Sequence, residues 1–236
     1  MSLIRFEEVS LEFGDQKILS QADFAIEPGE RVCLIGRNGA GKSTLLRLLA
    51  TLTTPDTGTL NIGGLDLSRG GQEARRLIGV VTHDSLLYEN LTAYENLAFH
   101  ARMFGLDQIR ERIESATSTM GMSDRLHQRV TTLSHGLRKR LSIIRALLHE
   151  PRILLMDEPE SGLDQEALRM LDLVISDRTD PYRTVVMTTH NLGRAMERAV
   201  SMAILSHGRV AYHGPLGSVS NQSVHDTYTN YTDGRL

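Results

Sequence analysis

The chain has very few of the residues that stabilise small secreted domains. It contains one cysteine, Cys33, and no tryptophan among its 236 residues. A single cysteine excludes an internal disulfide framework and agrees with a reducing compartment. Cys33 lies in an apolar run, which predicts a buried residue rather than a reactive thiol. The nine histidines show no metal-ligand spacing, so the sequence indicates no structural metal centre.

Long apolar runs and a strong charge of one sign are also missing. No stretch approaches the roughly eighteen consecutive apolar residues of a membrane-spanning helix, so a role at a membrane would need other chains to span it. Glu7 and Glu8 interrupt the first apolar residues, which argues against a secretory signal. The 26 basic and 29 acidic side chains give a net charge of −3, which does not favour a nucleic-acid partner.

A short basic run is present at Arg138-Lys139-Arg140. It lies on the first turns of a predicted amphipathic helix and lacks the interleaved aromatic residues of many nucleic-acid surfaces. We therefore predict a solvated helix face at this run, and no nucleic-acid partner for the chain.

The most specific pattern in the chain is a glycine, four free positions, then glycine, lysine and serine, which is the pattern of a phosphate-binding loop. All nine residues of this stretch are predicted to bind a nucleotide: Gly36, Arg37, Asn38, Gly39, Ala40, Gly41, Lys42, Ser43 and Thr44. The glycines let main-chain N–H groups surround an anion at a helix N-terminus. Lys42 would meet the β- and γ-phosphates, and the Ser43 hydroxyl would bind Mg²⁺. The alternative is a glycine-rich turn without a ligand.

The segments on either side of this loop give the order strand, loop, helix, which phosphate binding requires. The run Arg31–Ile35 predicts a short buried strand, and the segment from Lys42 to Leu52 predicts a helix. Four leucines are predicted to form the buried face of this helix: Leu45, Leu48, Leu49 and Leu52.

A second chemical group follows another apolar run. Residues 152–159 predict a short strand that ends in two carboxylates, Asp157 and Glu158. Asp157 could hold the Mg²⁺ shared with Ser43, and Glu158 could orient and deprotonate an attacking water. The alternative is a solvated acidic turn before Pro159. The phosphate loop favours the pair as hydrolytic residues.

The order of elements predicts one α/β domain over residues 1–236. We predict a P-loop NTPase (RecA-like) core with a parallel sheet, in which Ile78–Val81, Ile153–Met156 and Thr184–Met187 are strands. Residues 3–30 alternate in polarity, with Val9, Leu11 and Phe13 on one face, which predicts an N-terminal antiparallel β lobe. From about 84 to 132 the apolar residues recur with a helical period, which predicts an inserted helical lobe. A polar tail is predicted from about 217 to 236.

Further motifs give the chain a family resemblance. Leu133-Ser134-His135-Gly136-Leu137 precedes a long predicted helix, Ser161-Gly162-Leu163-Asp164 follows the two carboxylates, and His190 follows the strand at 184–187. Together with the phosphate loop, these resemble the signature loop, D-loop and switch histidine of ATP-binding cassette (ABC) ATPases, from about Ile4 to Gly214. The resemblance implies an ATPase with ATP and Mg²⁺ as cofactors.

In that family two cassettes pair head to tail around two ATP molecules. The resemblance implies that Ser134 and Gly136 contact the γ-phosphate bound by the partner and that His190 contacts the γ-phosphate in its own subunit. It also implies that Asp164 links the two sites and that Phe13 stacks on adenine. Three alternatives are simpler: a core position for Phe13, a helix start for His190 and a helix N-cap for Asp164.

Three positions depart from the family pattern. His83 stands where the family has glutamine, and it can still donate to a phosphate or contact a metal-bound water. In the signature loop, His135 replaces glycine and Leu137 replaces glutamine. His135 could add positive charge near phosphates as pH falls, although a solvent-facing ring is the simpler expectation.

The segment Val81–Leu97 is similar to the haem-exporter ATPase of cytochrome c maturation, which also has histidine at the position of His83. The resemblance implies a subunit on the inner, cytoplasmic face of the cell membrane that works with a separate transmembrane permease and a second ABC ATPase subunit, with a homodimer expected. Alternative functions are a drug or lipid-type exporter ATPase, a soluble ABC ATPase of DNA repair or ribosomes, and a nucleotide sensor without hydrolysis.

Overall fold

A computed structural model describes residues 2–67, 71–176, 180, 182–189, 193, 199–216, 226 and 228–231. Its strands are β1 Ile4–Phe13, β2 Gln16–Ile26, β3 Arg31–Ile35, β4 Thr57–Ile62, β5 Leu65–Asp66, β6 Ile78–Val81, β7 Ile153–Asp157, β8 Thr184–Thr188, β9 Ser201–Ser206 and β10 Arg209–Pro215. Its helices are α1 Lys42–Leu49, α2 Gln72–Arg75, α3 Ala93–Met103, α4 Ile109–Thr119, α5 His135–Leu147 and α6 Gln165–Ile175. The predicted switch histidine His190 and most of the predicted polar tail lie outside these ranges.

The main sheet has the order β10-β9-β3-β8-β7-β6. Strands β3 and β6 to β9 run parallel, and only β10 pairs antiparallel with its neighbour. The inner residues of the central strands β3, β8 and β7 are apolar and buried because both faces of the sheet are covered. Cys33, on β3, is fully buried as predicted.

A second sheet, with the order β2-β1-β4-β5, is antiparallel. Its buried side chains, those of α1 and those of one face of the main sheet form one hydrophobic cluster. The other face of the main sheet packs on α3 and α5 in a second cluster. The predicted combination of a parallel core, an antiparallel β lobe and added helices is therefore confirmed.

Two expectations for individual side chains are wrong. Leu52 does not belong to the buried face of α1, because the helix ends at Leu49, Thr51 takes a left-handed φ of 58°, and Leu52 is 59% exposed. Phe13 does not share a face with Val9 and Leu11, since it is 54% exposed while they are buried. Irregular pairing between Val9 and Glu12 breaks the alternation of β1.

The helices α3 and α4 fall within the stretch from 84 to 132 that was predicted to be helical. Within the described residues, no helix has the length and apolar character needed to cross a membrane.

The parallel strands place four chain segments at one edge of the sheet. The carboxyl ends of β3, β6, β7 and β8 meet there, because parallel neighbours end on the same side. The loops that leave these ends carry the phosphate loop, His83, the Asp157-Glu158 pair and Thr189. Ligands of open α/β sheets bind at this edge.

Candidate functional site

The phosphate loop is packed so closely that two of its glycines cannot be replaced by a residue with a side chain. A Cβ on Gly36 would lie 2.4 Å from the main-chain oxygen of Leu205. Gly41 has φ +102°, and a Cβ there would be 3.0 Å from the main-chain oxygen of Ile18. Arg37, Asn38 and Gly39 are exposed between them. The loop therefore presents its backbone to solvent while strands β2 and β9 fix its two ends.

Lys42 is the first residue of α1 and folds back over this loop. Its Nζ donates to the main-chain oxygens of Gly36 at 2.8 Å and Arg37 at 3.1 Å. Burial lowers the pKa of Lys42, while the negative charges of Glu158 and Asp157 act in the opposite direction. The ammonium group thus lies between the glycine loop and the two carboxylates at the end of β7.

Thr188 holds both predicted hydrolytic residues, and the sequence analysis did not identify it. The fully buried Thr188 hydroxyl donates to Asp157 Oδ1 at 2.6 Å and accepts from the main-chain N–H of Glu158 at 3.0 Å. Glu158 has a left-handed φ of 44°, which is uncommon for a residue with a side chain. The signal for Thr188 that the sequence contained was a threonine at the end of one buried strand, together with a second strand that ends in acidic residues.

Ser43 and Asp157 line one small cavity, which Thr82 also borders. A hydroxyl and a carboxylate are the hard oxygen ligands that Mg²⁺ prefers, and Mg²⁺ in phosphate-transfer sites takes its remaining ligands from phosphates and water. Among the described residues no group of three or more His, Cys, Asp or Glu side chains could hold a metal ion. The residues present therefore fit Mg²⁺ bound together with a nucleotide.

The signature-loop residues lie at the start of α5 and do not line the cavity of Ser43 and Asp157. Ser134 is the N-cap of α5, where its hydroxyl accepts from the main-chain N–H of Leu137 at 3.3 Å. Ser134 and His135 are exposed, as expected for His135. In the described part of the chain, no hydrogen bond joins Ser134 or Gly136 to the phosphate loop. These residues are available to a ligand that is not held by their own Lys42.

The signature loop instead packs against the D-loop, residues 161–164. A Cβ on Gly162 would lie 2.3 Å from Nδ1 of His135, and one on Gly136 would lie 3.5 Å from the main-chain oxygen of Gly162. The histidine that replaces a glycine of the family therefore covers the D-loop glycine of its own subunit. Leu137, which replaces glutamine, packs against the hydrophobic cluster around α3 and α5.

Asp164 is an N-cap, as the simpler alternative proposed. Its Oδ1 accepts from the main-chain N–H of Ala167 at 2.8 Å at the start of α6. Arg140 Nη2 donates to both of its carboxylate oxygens, at 2.9 and 3.0 Å. The hydrogen bond from Ala167 and the guanidinium of Arg140 keep the pKa of Asp164 below its usual value. The link between two ATP sites stays a prediction.

The predicted solvated face at Arg138-Lys139-Arg140 is wrong for two of its members. Lys139 is 4% exposed and Arg140 is 6% exposed. Lys139 Nζ donates to the main-chain oxygen of Thr82 at 2.9 Å, and Arg140 pairs with Asp164. These partners come from distant loops, so the local sequence gave no sign that the two cations would be buried.

Phe13 and His83 are both exposed at the ends of their strands. Phe13 adjoins the turn at Gly14-Asp15 and contributes no buried ring to the core, so its simpler alternative is wrong. His83 directly follows Thr82, which borders the cavity of Ser43 and Asp157. Neither ring is fixed by a hydrogen bond among the described residues, and each is free to contact a ligand at this edge.

Comparison with known proteins identifies the family. The family model described as ABC transporter matches residues 19–161, which include the phosphate loop, the signature loop and the carboxylate pair. The chain belongs to the ABC transporter family. It is an ATP-binding subunit and an ATPase of this family.

Two ABC transporter relatives show how far the likeness extends. The chain is 34% identical over 224 residues to the ABC transporter ATP-binding protein NatA of Bacillus subtilis, covering 92% of this chain and 91% of that protein. It is 33% identical over 218 residues to the Nod factor export ATP-binding protein I of Rhizobium etli, covering 91% and 68%. Neither relative is named for haem, so the haem-exporter resemblance stays a prediction.

Solved structures of ABC subunits match the whole fold. The ATP-binding subunit of an ABC transporter superposes with a TM-score of 0.89 at 29% identity, covering 98% of this chain and 99% of that one. A dimeric, post-hydrolysis ATP-binding cassette bound to ADP and Pi superposes with a TM-score of 0.79 at 25% identity, covering 90% and 98%.

Proposed function

We propose that this chain is the ATP-hydrolysing subunit of an ABC exporter, and that two copies pair head to tail around two ATP molecules. The observation that carries the proposal is that Ser43 of the phosphate loop and Asp157 line one cavity at the carboxyl edge of the sheet, while Ser134 caps a helix outside that site. A site divided in this way is complete only when the signature loop of a second copy covers the nucleotide.

Within one subunit the phosphate loop and Lys42 would bind the phosphates, and Phe13 would stack on adenine. Ser43 and Asp157 would hold Mg²⁺, which would neutralise negative charge on the phosphates. Glu158 would take a proton from the attacking water, His190 would contact the γ-phosphate, and His83 would donate to a phosphate or contact a metal-bound water. From the partner, Ser134 and Gly136 would contact the γ-phosphate, with Asp164 near the shared interface.

ATP would hold the pair closed through charge-assisted hydrogen bonds from both copies, and hydrolysis would release it. The chemistry would then change the population of two conformations and would not touch the cargo. In this proposal the transport path belongs to a separate membrane permease, and the subunit works at the cytoplasmic face of the membrane.

An exposed apolar surface supports docking of that permease. We call it the α3 surface, and it consists of Leu86, Tyr88, Phe99 and Met103. Met103 is 67% exposed, and Tyr88, 57% exposed, meets Phe99 edge to face at 5.2 Å between ring centroids. We propose that a cytoplasmic segment of the permease with apolar side chains binds this surface. Monomeric soluble proteins rarely expose contiguous apolar patches to solvent.

Haem export is the narrower alternative, and it depends on His83 and the segment Val81–Leu97. The relatives named for Nod factor export and for linearmycin resistance favour export without specifying haem. Co-purification with a membrane protein would support the transporter function. Co-purification with ribosomes or DNA would support a soluble ABC ATPase. Cytochrome assembly genes beside this gene would favour haem.

The direct test is the variant Glu158→Gln, which removes the proposed base and preserves the shape of the side chain. We expect phosphate release to fall about a hundredfold or more, because a positioned base contributes that much. ATP should still bind, and size-exclusion chromatography should show an ATP-dependent dimer. Normal phosphate release in this variant would remove Glu158 from the catalytic role, and a wild-type protein without ATPase activity would overturn the proposed function.

A further inference from the structure

Lysine is rare in this chain and its positions are not random. Of 26 basic residues, Lys17, Lys42 and Lys139 are lysines, which leaves 23 arginines. Two of these three lysines lie beside the carboxylates at the end of β7. Lys42 has its role in the phosphate loop, while Lys139, from the basic run at 138–140, has as yet no role in the proposed hydrolysis.

Lys139 joins the signature helix to the segment that carries His83. It lies on α5, five residues after the N-cap Ser134, and its Nζ donates to the main-chain oxygen of Thr82 at 2.9 Å. The Thr82 hydroxyl donates to the main-chain oxygen of Asp84 at 2.7 Å. The two hydrogen bonds fasten residues 82–84, which we call the His83 segment, at the point where β6 ends.

The surroundings of Lys139 are strongly acidic. Its side chain is 4% exposed, and burial lowers the pKa of Lys139 while the charges of Asp157, Glu160 and Glu158 oppose that effect. Thr82, its hydrogen-bond partner, borders the same cavity as Ser43 and Asp157. A buried ammonium group needs such compensation, because an unpaired buried charge is very unfavourable.

We infer that Lys139 is a positioning residue for ATP hydrolysis. Through one ammonium group it holds the His83 segment against the carboxylate end of β7 and ties both to the helix that begins at Ser134. Through this contact, a conformational change in the signature loop shifts the positions of His83, Asp157 and Glu158 in the same subunit. A compact ammonium suits this place, whereas a planar guanidinium would need more acceptors. The inference rests on the proposed function.

The charge and the hydrogen bond of Lys139 can be separated by two variants. Lys139→Met keeps the length of the side chain and removes both, and Lys139→Gln retains a donor without the charge. We expect kcat to fall about tenfold in the methionine variant, with KM for ATP changed less than twofold, and to recover in part with glutamine. Half-saturating Mg²⁺ should fall severalfold in both variants, because a nearby positive charge is gone.

A readout without turnover tests the same contact in the nucleotide-free protein. Hydrogen–deuterium exchange of residues 82–84 should be faster in Lys139→Met than in the wild type and intermediate in Lys139→Gln. Lys17→Met is the matched control, since the Lys17 side chain is 71% exposed and its carboxylate neighbour is Glu12. This control should match the wild type in exchange and Mg²⁺ dependence.

The outcomes distinguish the two ideas. An active wild type, with unchanged local exchange and unchanged kcat in Lys139→Met, overturns the role of Lys139 and leaves the proposed function intact. A lower melting temperature alone, without the shift in Mg²⁺ dependence or local exchange, also overturns it, because Lys139 would then act only on stability. A wild type that releases no phosphate overturns the proposed function itself.

Discussion

Two threonines at opposite ends of strand β8 are buried for different reasons. Thr188 binds Asp157 and Glu158 at the carboxyl end. Thr184 accepts from the main-chain N–H of Gly29 at 2.9 Å at the other end. Both side chains are fully buried and hydrogen-bonded, so the same substitution should disturb the fold to a similar degree while only one touches the site.

Thr188→Val should therefore reduce ATP hydrolysis, whereas Thr184→Val should not. Each variant leaves a buried N–H without its acceptor, and we expect a loss of about 1–3 kcal/mol in the free energy of unfolding for both. In Thr188→Val the Asp157 and Glu158 groups also lose their fixed position, and kcat should fall about tenfold or more. Urea unfolding and phosphate release, measured on both proteins, check this. Equal ATPase activity in the two variants would exclude a positioning role for Thr188.

At this scale the sequence predicts the residues of contiguous motifs and misses those defined by distant contacts. Lys42, Asp157 and Glu158 could be found because a short pattern fixes their surroundings. Thr188 and Lys139 act through Glu158 and Thr82, which lie 30 and 57 positions away in the chain. Only the sheet topology brings such pairs together.

Among the helices, α3 explains the motif behind the haem-exporter resemblance. Thr92 and Glu95 form a capping box at its start, with Glu95 Oε2 accepting from the Thr92 main-chain N–H at 2.7 Å. Asn96 is 3% exposed and Leu97 is fully buried in the core. These residues belong to the segment Val81–Leu97 and are explained by helix capping and packing, so they carry little information about cargo.

Asn96 fixes the loop before α3 and thus the α3 surface. Its amide nitrogen donates to the main-chain oxygens of Tyr88 at 3.0 Å and Thr92 at 2.9 Å, and its oxygen accepts from the Tyr88 main-chain N–H at 2.8 Å. Main-chain hydrogen bonds from Val130 to Leu91 and from Thr131 to Glu89 also hold the loop, but among the described residues only the Asn96 side chain binds both main-chain polar groups of Tyr88.

Asn96→Ala should loosen this loop without unfolding the protein. We expect about 1–3 kcal/mol less stability, because buried groups lose their partners, together with faster hydrogen–deuterium exchange at residues 88–92. The exposed Asn90 in the same loop is the matched control, and Asn90→Ala should match the wild type. Binding to the membrane partner should weaken in the first variant only. Unchanged exchange at residues 88–92 would contradict this account of the loop.

Helix ends were harder to predict than helix positions. The predicted helix from 42 to 52 ends three residues early, where the left-handed φ of Thr51 turns the chain. The α5 helix begins at His135, with Ser134 as its cap. Periodicity finds the buried face of a helix, whereas the end depends on single backbone conformations that side-chain polarity does not determine.

At the scale of the whole molecule, His100 on α3 and His149 just after α5 are half-buried side by side, with ring centroids 5.5 Å apart. Burial lowers the pKa of His100 to about 3, with Arg145 and His149 adding to the effect. Burial also lowers the pKa of His149 to about 4, partly offset by its hydrogen bond with the main-chain oxygen of Ile78. Phe104 stacks on His149 at 4.0 Å between ring centroids. Both rings are therefore neutral in the folded protein well below neutral pH.

This enclosure predicts a loss of stability in mild acid. The unfolded histidines take up protons below about pH 6.5 while the folded ones do not, so the stabilisation is complete above that pH and falls as pH falls towards 4. The free energy of unfolding should decrease by up to about 1.4 kcal/mol per pH unit for each histidine, less where solvent reaches the rings. Urea unfolding at pH 7.5, 6.5 and 5.5 measures the slope.

A double variant isolates the two histidines. His100→Leu with His149→Leu should flatten the slope between pH 6.5 and 5.5, and His127→Gln, at an exposed histidine, should leave it unchanged. A steep slope that persists in the double variant would assign the acid sensitivity to other groups.

At this scale the sequence predicts the layers of the fold but not how they fit together. Apolar runs such as Ile153–Asp157 predict the parallel sheet, and the alternation of apolar and polar residues predicts the antiparallel one. The strand order β3-β8-β7-β6, which places Thr188 beside Asp157, follows from long-range pairing that no local pattern encodes.

The solitary thiol has a practical consequence for following this subunit at work. Cys33 is fully enclosed in the middle of the main sheet, so maleimide dyes would leave the folded wild type unlabelled. A cysteine introduced at an exposed position outside the nucleotide-binding loops, such as Leu173 on α6, would carry the dye alone, and energy transfer between two labelled copies would follow their approach and separation in real time.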